Sequence, residues 1–254
     1  MTTAKLTCVF LITLFIQTLF YQSSFAGQLG NFEKAATEKK ADNKDDDTIF
    51  DLLFDDVIGD LFIRTLVEGG KLSMERVSQP KTHNAASLGL RHIGDSDLPY
   101  FRSDINYQLV NSNVWGLDGR IEVGYGAVGL QFRQTHYEEK KPHDSLDIVN
   151  IHGLYRISFS KKFELDMGIG RISMSGKDEN SGASVTSPMN FYPHENICIR
   201  FAPTWNWING NQVSDYDGSI AYINEFYSIR AGYRRMKAGE EVLDGPYFGM
   251  SYHY

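Results

Sequence analysis

The sequence predicts an all-β fold: an antiparallel transmembrane β-barrel of about ten strands, preceded by a short amphipathic helix. Three observations carry this. From Tyr100 to the C-terminus, short segments alternate apolar and polar residues at the strand period of two. Their polar positions hold Arg, Asp, Glu, Asn and Ser, whereas Lys140, Lys141, Lys161, Lys162, Lys177 and Lys237 fall in the connections. A wet face would be dotted with Lys, while arginine forks interleaved with carboxylates suit a crowded, paired interior. The aromatic load of Phe 16, Tyr 14 and Trp 3 gathers in two sets one strand-length apart, as two membrane interfaces require. The polar face therefore points inward.

The chain opens with Lys5, an apolar run from Leu6 to Phe20, and Ser24-Phe25-Ala26 before Gly27, the pattern of a secretory signal over residues 1–26. Cys8 sits near the start of that run, a poor place for lipid attachment. Cleavage leaves Cys198 as the single cysteine, which cannot form an internal disulfide. With a net charge of -7 over 254 residues, the chain offers no footprint for nucleic acid. Export and a barrel together place it in the outer membrane of a Gram-negative bacterium, surrounded by outer-membrane lipid.

Residues 27–99 read as a periplasmic segment. Up to about residue 47 they are polar and charge-mixed (Glu33-Lys34, Glu38-Lys39-Lys40, Asp45-Asp46-Asp47), a flexible linker. A helix is expected at about 48–67, where Phe50, Phe54, Leu61 and Phe62 belong to an apolar stripe and Gly69-Gly70 supply a stop. Its polar face (Asp51, Asp55, Asp56, Asp60) is acidic and avoids anionic lipid. The stripe packs against its own barrel, or docks a periplasmic partner or second copy, or plugs the lumen. Residues 71–99 are a weakly patterned connector.

The barrel domain spans residues 100–254. Its strands are expected at about 100–110, 115–125, 127–137, 146–159, 162–174, 183–192, 197–207, 214–224, 226–236 and 246–254. Tight links at Gly124-Tyr125-Gly126, Ser160-Lys161-Lys162, Pro193 to Asn196 and Asn224-Glu225 alternate with polar, generally longer ones at Asn111-Ser112-Asn113, Glu138 to Ser145, Ser175 to Gly182, Ile208 to Val213 and Lys237 to Gly245. Short turns on one side and longer loops on the other, with an even count, put both barrel ends in the periplasm.

The inward parity carries Arg102, Asp104, Arg120, Glu122, Arg133, Arg156, Glu164, Asp166, Arg200, Asp215, Asp217, Arg230 and Arg234. Arginines and carboxylates nearly balance, which argues for mutual pairing in a filled lumen, since unpaired buried charge is costly. Interface aromatics include Tyr125, Phe159, Trp205, Trp207, Tyr252 and Tyr254; Tyr137, Tyr192 and Tyr247 fall in the same two sets. Three residues fit badly. Pro188 and Pro203 interrupt strands, and Arg171 falls on the outward parity unless a bulge at Gly168 or Gly170 flips the register. Eight or twelve strands stay open for that reason.

The signal, the belts and the ending Phe248-Gly249-Met250-Ser251-Tyr252-His253-Tyr254 resemble small bacterial outer-membrane β-barrel proteins. The resemblance covers roughly residues 100–254 and implies that the final strand is presented to the barrel-assembly machinery during biogenesis. No subfamily motif is present, so no functional residue is carried over. Enzymes of the resembling class use Asp, His and Ser on barrels. Here His152 lies mid-strand and His253 near an end, so a shared site with Asp215, Asp217 or Ser251 is not expected. His136 and His143 flank a loop without diagnostic ligand spacing, and no metal or cofactor is expected. The leading reading is a non-enzymatic barrel with a structural, surface-interaction or assembly role. The alternatives are a small pore or hydrophobic-solute channel, and an enzyme acting on lipid or peptide at the rim.

Overall fold

The computed structural model describes residues 27–39, 100–125, 128–160, 162–194, 196–224 and 226–253. The helix expected at 48–67, with Phe50, Phe54, Leu61 and Phe62, lies outside them. Among the described residues one helix, α1 (Gln28–Thr37), precedes eleven strand segments. These are β1 (Tyr100–Leu109), β2 (Val114–Tyr125), β3 (Val128–Glu139), β4 (Asp144–Ser160), β5 (Phe163–Ser175), β6 (Glu179–Thr186), β7 (Met189–His194), β8 (Ile197–Ile208), β9 (Asn211–Ile223), β10 (Tyr227–Ala238) and β11 (Glu241–His253). Pairing is antiparallel throughout, and β1 pairs with β11, so the sheet closes and leaves no free edge. β6 and β7 both lie between β5 and β8 as two halves of one stave. The barrel has ten staves.

Pro188 makes the break between those halves, and the backbone reconnects around it. The Asp166 N–H donates to the Pro188 carbonyl at 2.8 Å, and the Ser187 N–H donates to the Pro203 carbonyl at 3.0 Å. Pro203, expected to interrupt its strand, instead stays inside β8 opposite Tyr216. Its carbonyl points at Ser187, so its missing N–H also faces the β6–β7 break, where the ladder is already interrupted. Arg171 remains outward: the β4–β5 register runs unbroken past Gly168 and Gly170, with no bulge there.

The expected contrast in loop length is absent. Glu138 to Ser145 and Lys237 to Gly245 are mostly strand, because β3, β4, β10 and β11 extend to Glu139, Asp144, Ala238 and Glu241. Lys237 lies inside β10, facing out. Asn209 and Gly210 have φ of 50° and 79°, the two left-handed residues of a two-residue hairpin turn that joins β8 to β9 directly. Both rims are tight. One is the terminal end, where β1 starts and β11 stops; the other carries the β1–β2, β3–β4, β5–β6, β8–β9 and β10–β11 turns.

Inward and outward parity holds along the staves except at register shifts beside the terminal rim, at Ser158/Ser160 on β4 and Phe191/His194 on β7, but polarity inverts near that second rim. On β3 the outward Val128, Leu130 and Phe132 give way to Gln134, His136 and Glu138. On β5 the outward Met167 and Ile169 give way to Arg171, Ser173 and Ser175. Inside, Asn150 and His152 on β4 give way to Leu146 and Ile148, and Arg234 on β10 gives way to Met236. Most of the barrel is thus apolar outside and polar inside, while the last turn of most staves is built like a water-soluble barrel. Outward polar pairs there satisfy one another: His136 Nδ1 and Asp147 Oδ1 at 3.0 Å, Arg171 Nη2 to Ser181 Oγ at 2.6 Å, and Tyr233 OH to Asp244 Oδ2 at 2.7 Å.

The inversion yields a facing prediction. Arg at Ile151 or Ile199, exposed in the apolar band, is expected to cost about 2–4 kcal/mol of folding in lipid. Arg at outward Ser173, beyond the band, is expected to stay within about 0.5 kcal/mol. Urea titrations in bilayers check the order; equal costs would mean that lipid does not cover the Ile151 level.

Candidate functional site: a charged lumen and a helical plug

All thirteen lumen charges read from the sequence lie on the inner face, and the structure joins most of them in two groups. Toward the terminal end, Asp104 gathers three guanidinium groups. It accepts from Arg102 Nε at 2.9 Å, from Arg120 Nε at 2.6 Å, and from Arg230 Nη2 and Nη1 at 3.3 and 3.4 Å. Arg230 also donates to Ser251 Oγ at 2.8 Å. Beside this, Arg156 bridges Glu122 at 2.8 Å and Asp166 at 3.5 Å.

Deeper in, Arg133 and Arg234 share Asp118 and Asp215. Arg133 donates to Asp118 at 2.6 Å and reaches across the lumen to Asp215 and Asp217 at 3.5 and 3.3 Å. Arg234 holds Asp215 with a fork at 2.9 and 2.7 Å and Asp118 at 3.3 Å. Such forks suit arginine and would not suit lysine, in keeping with the absence of lysine from the lumen face. Arg200 donates to Asn190 Oδ1 at 3.1 Å, and Glu164 accepts from Tyr192 OH at 3.2 Å.

Three tyrosines that the sequence placed in the belts point inward instead. Tyr137, Tyr192 and Tyr247 are buried and donate their phenols to Gln108, Glu164 and Asp217, at 3.0, 3.2 and 2.5 Å. Their positions share the inward parity, which overrides an interface reading. Tyr252 and the half-buried Trp205 and Trp207 do face outward. The side chains of Tyr125, Phe159 and Tyr254 lie outside the described ones.

His152 Nε2 lies 2.7 Å from Ser184 Oγ, and Ser184 Oγ lies 2.7 Å from Asn206 Oδ1. The Ser hydroxyl has one proton for the two, and His152 Nδ1 has no partner to orient the ring. This is a buried polar chain that also takes in Asn150, whose Nδ2 donates to Asn206 at 3.0 Å. Asp215 and Asp217 bond to Arg and Tyr partners elsewhere. Cys198 is inward, buried and unpaired. No group of three metal-ligating side chains occurs among the described residues.

The feature that sequence reasoning missed is α1. Residues 27–39, read as flexible linker, supply a helix that sits in the apolar end of the lumen against β3, β4, β9, β10 and β11. Leu29, Phe32 and Ala36 lie on one face and are 1%, 0% and 0% exposed. They complete a core with the inward Leu146, Ile148, Ile172, Met174, Met236 and Leu243. Burying a Leu or Phe side chain is worth roughly 1.5–3 kcal/mol each.

Both ends of the helix are held by residues at the rim. At its start, Glu139 Oε1 accepts from the Gly27 and Gln28 N–H groups at 3.0 and 3.2 Å, and Oε2 accepts from Leu29 N–H at 3.1 Å. The carboxylate thereby serves orphan donors and the positive end of the helix dipole together. At its end, Asn209 Nδ2 donates to the Thr37 carbonyl at 2.9 Å, and Asn211 Nδ2 to Glu38 at 2.6 Å. Midway, Glu33 accepts from the Lys177 and Asp178 N–H groups at 2.8 and 3.1 Å. A Cβ at Gly176 would come within 2.5 Å of Glu33 Oε2, so a side chain there would push the Glu33 carboxylate from its place. The signal that could have found α1 is the apolar inward run on the strands, which needed an apolar occupant.

No protein-family model matches the chain, and no curated protein matches it. Among solved structures, Neisserial surface protein A is 15% identical over 61% of this chain and 96% of that one, with a TM-score of 0.30. The Yersinia pestis outer membrane protein Ail is 11% identical over 62% and 100%, with a TM-score of 0.36. The N-terminal β-barrel domain of Pseudomonas aeruginosa OprF is 9% identical over 61% and 96%, with a TM-score of 0.28.

Proposed function

We propose that this chain is an integral outer-membrane β-barrel, sealed to solutes, whose structural, surface-interaction or assembly role is carried by the plugged end that stands clear of the lipid. The observation that supports it most is an apolar outer band around a lumen in which most arginines and carboxylates occupy one another. Such a barrel is stable only where lipid covers the band. The sealed reading draws on the same pairing and on α1, which together leave the lumen ends occupied by protein groups. No residue triad with an oriented base supports an enzymatic reading among the described residues.

The test combines fractionation, gel mobility and conductance. The mature protein is expected in outer-membrane fractions, with a mobility that changes on boiling, and with little steady current in planar bilayers. Recovery from the soluble periplasm without a mobility change would overturn the membrane reading. Large, stable single-channel currents would overturn the sealed lumen and favour the pore.

A further inference from the structure

Glu139 is a fully buried carboxylate, 0% exposed, with four hydrogen-bond donors and no Lys or Arg partner among the described residues. The donors are the Gly27, Gln28 and Leu29 N–H groups and, at 3.1 Å, Asn113 Nδ2. All are neutral in the unprocessed chain. Every other buried carboxylate paired in the lumen forks has arginine beside it, and a buried charge without a counter-charge is costly. The first of Glu139's donors, Gly27, is also the residue that follows the expected cleavage site, Ala26.

We propose that Gly27 is the mature N-terminus and that its α-ammonium group is the counter-ion of Glu139, so that removal of the leader is what locks the plug. This rests on the reading of the chain as an exported outer-membrane barrel. Hydrolysis by a leader peptidase adds one water across the Ala26–Gly27 amide. Ala26 leaves as a carboxylate, and the Gly27 nitrogen, taking up a proton, becomes an ammonium. The same nitrogen that donates one neutral N–H to Glu139 Oε1 at 3.0 Å then carries a positive charge at that distance. An ammonium at a helix start opposes the dipole, and a carboxylate held against it offsets both. The two conditions, a buried acid at the rim and a new amine at the processing point, meet at one atom pair.

The experiment uses the full mature chain refolded into lipid, with its α-amine free or selectively acetylated. Acetylation keeps the Gly27 N–H, as in the unprocessed chain, and removes only the charge. Both forms are made in the native chain and in Glu139→Gln, and hydrogen exchange of the peptide covering 27–39 is followed by mass spectrometry. Acetylation is expected to raise plug opening on the order of tenfold in the native chain and less than about twofold in Glu139→Gln. No effect in the native chain, or equal effects in both backgrounds, would overturn the pairing. The mass of protein isolated from cells is expected to begin at Gly27. A different first residue would overturn the proposal too, while a boiling-dependent mobility would show that the barrel reading had survived it.

Discussion

Asp104→Ala is expected to cost about 3–5 kcal/mol of barrel stability, the largest effect of any lumen substitution. Asp104 is 1% exposed and is the shared acceptor of Arg102, Arg120 and Arg230. Its removal leaves three guanidinium groups crowded together, two of them almost fully buried, with their common counter-charge gone. What is lost is less the net worth of the ion pairs than the compensation of charge already buried. The control is Asp147→Ala on the outer face, where the His136–Asp147 pair is about 40% exposed on both sides and is worth under about 1 kcal/mol. Urea unfolding in bilayers, followed by tryptophan fluorescence, measures both. Similar costs for the two would mean that the lumen is wetter than its packing implies.

Phe32→Ala is expected to cost about 3–5 kcal/mol of plug docking, because Phe32 is 0% exposed and central to the core shared with the rim. The expected signature is local. Residues 27–39 become cleavable by added protease, and amides around Leu146, Ile172 and Met236 lose exchange protection. The half of the barrel held by the charge network is still expected to shift on boiling. Phe32→Asp is expected to release the helix completely. If either variant prevents barrel assembly, α1 belongs to the folding unit, and the boundary expected near residue 100 does not describe how the chain folds.

Much of the barrel was legible because the strand period of two is rigid. Once Arg120 and Glu122 were inward, Ile121 and Val123 had to be outward, and each stave could be read in the same way. The expected strands differ from the observed ones mainly at the plugged rim, where the sequence was read as loop. There the polar residues that look like loop, such as Glu138, Ser145 and Lys237, are the wet outer face of continuing strands. The Asn209-Gly210 dipeptide is a hairpin signal, and it joins the strands it separates more closely than the expected loop allowed.

By itself, the sequence determined that the chain closes a barrel with arginines and carboxylates inside, since alternation and residue type are local properties. Tertiary structure alone decided who pairs with whom. Arg133 meets Asp215 and Asp217 across the lumen, 82 and 84 residues away, and that depends on stagger and closure rather than on spacing along the chain. It also decided that Gln28–Thr37 is a helix with a buried face. Ten residues with four apolar side chains cannot hold a helix in water. The rim provides what they lack: an apolar socket, Glu139 at one end, and Asn209 and Asn211 at the other.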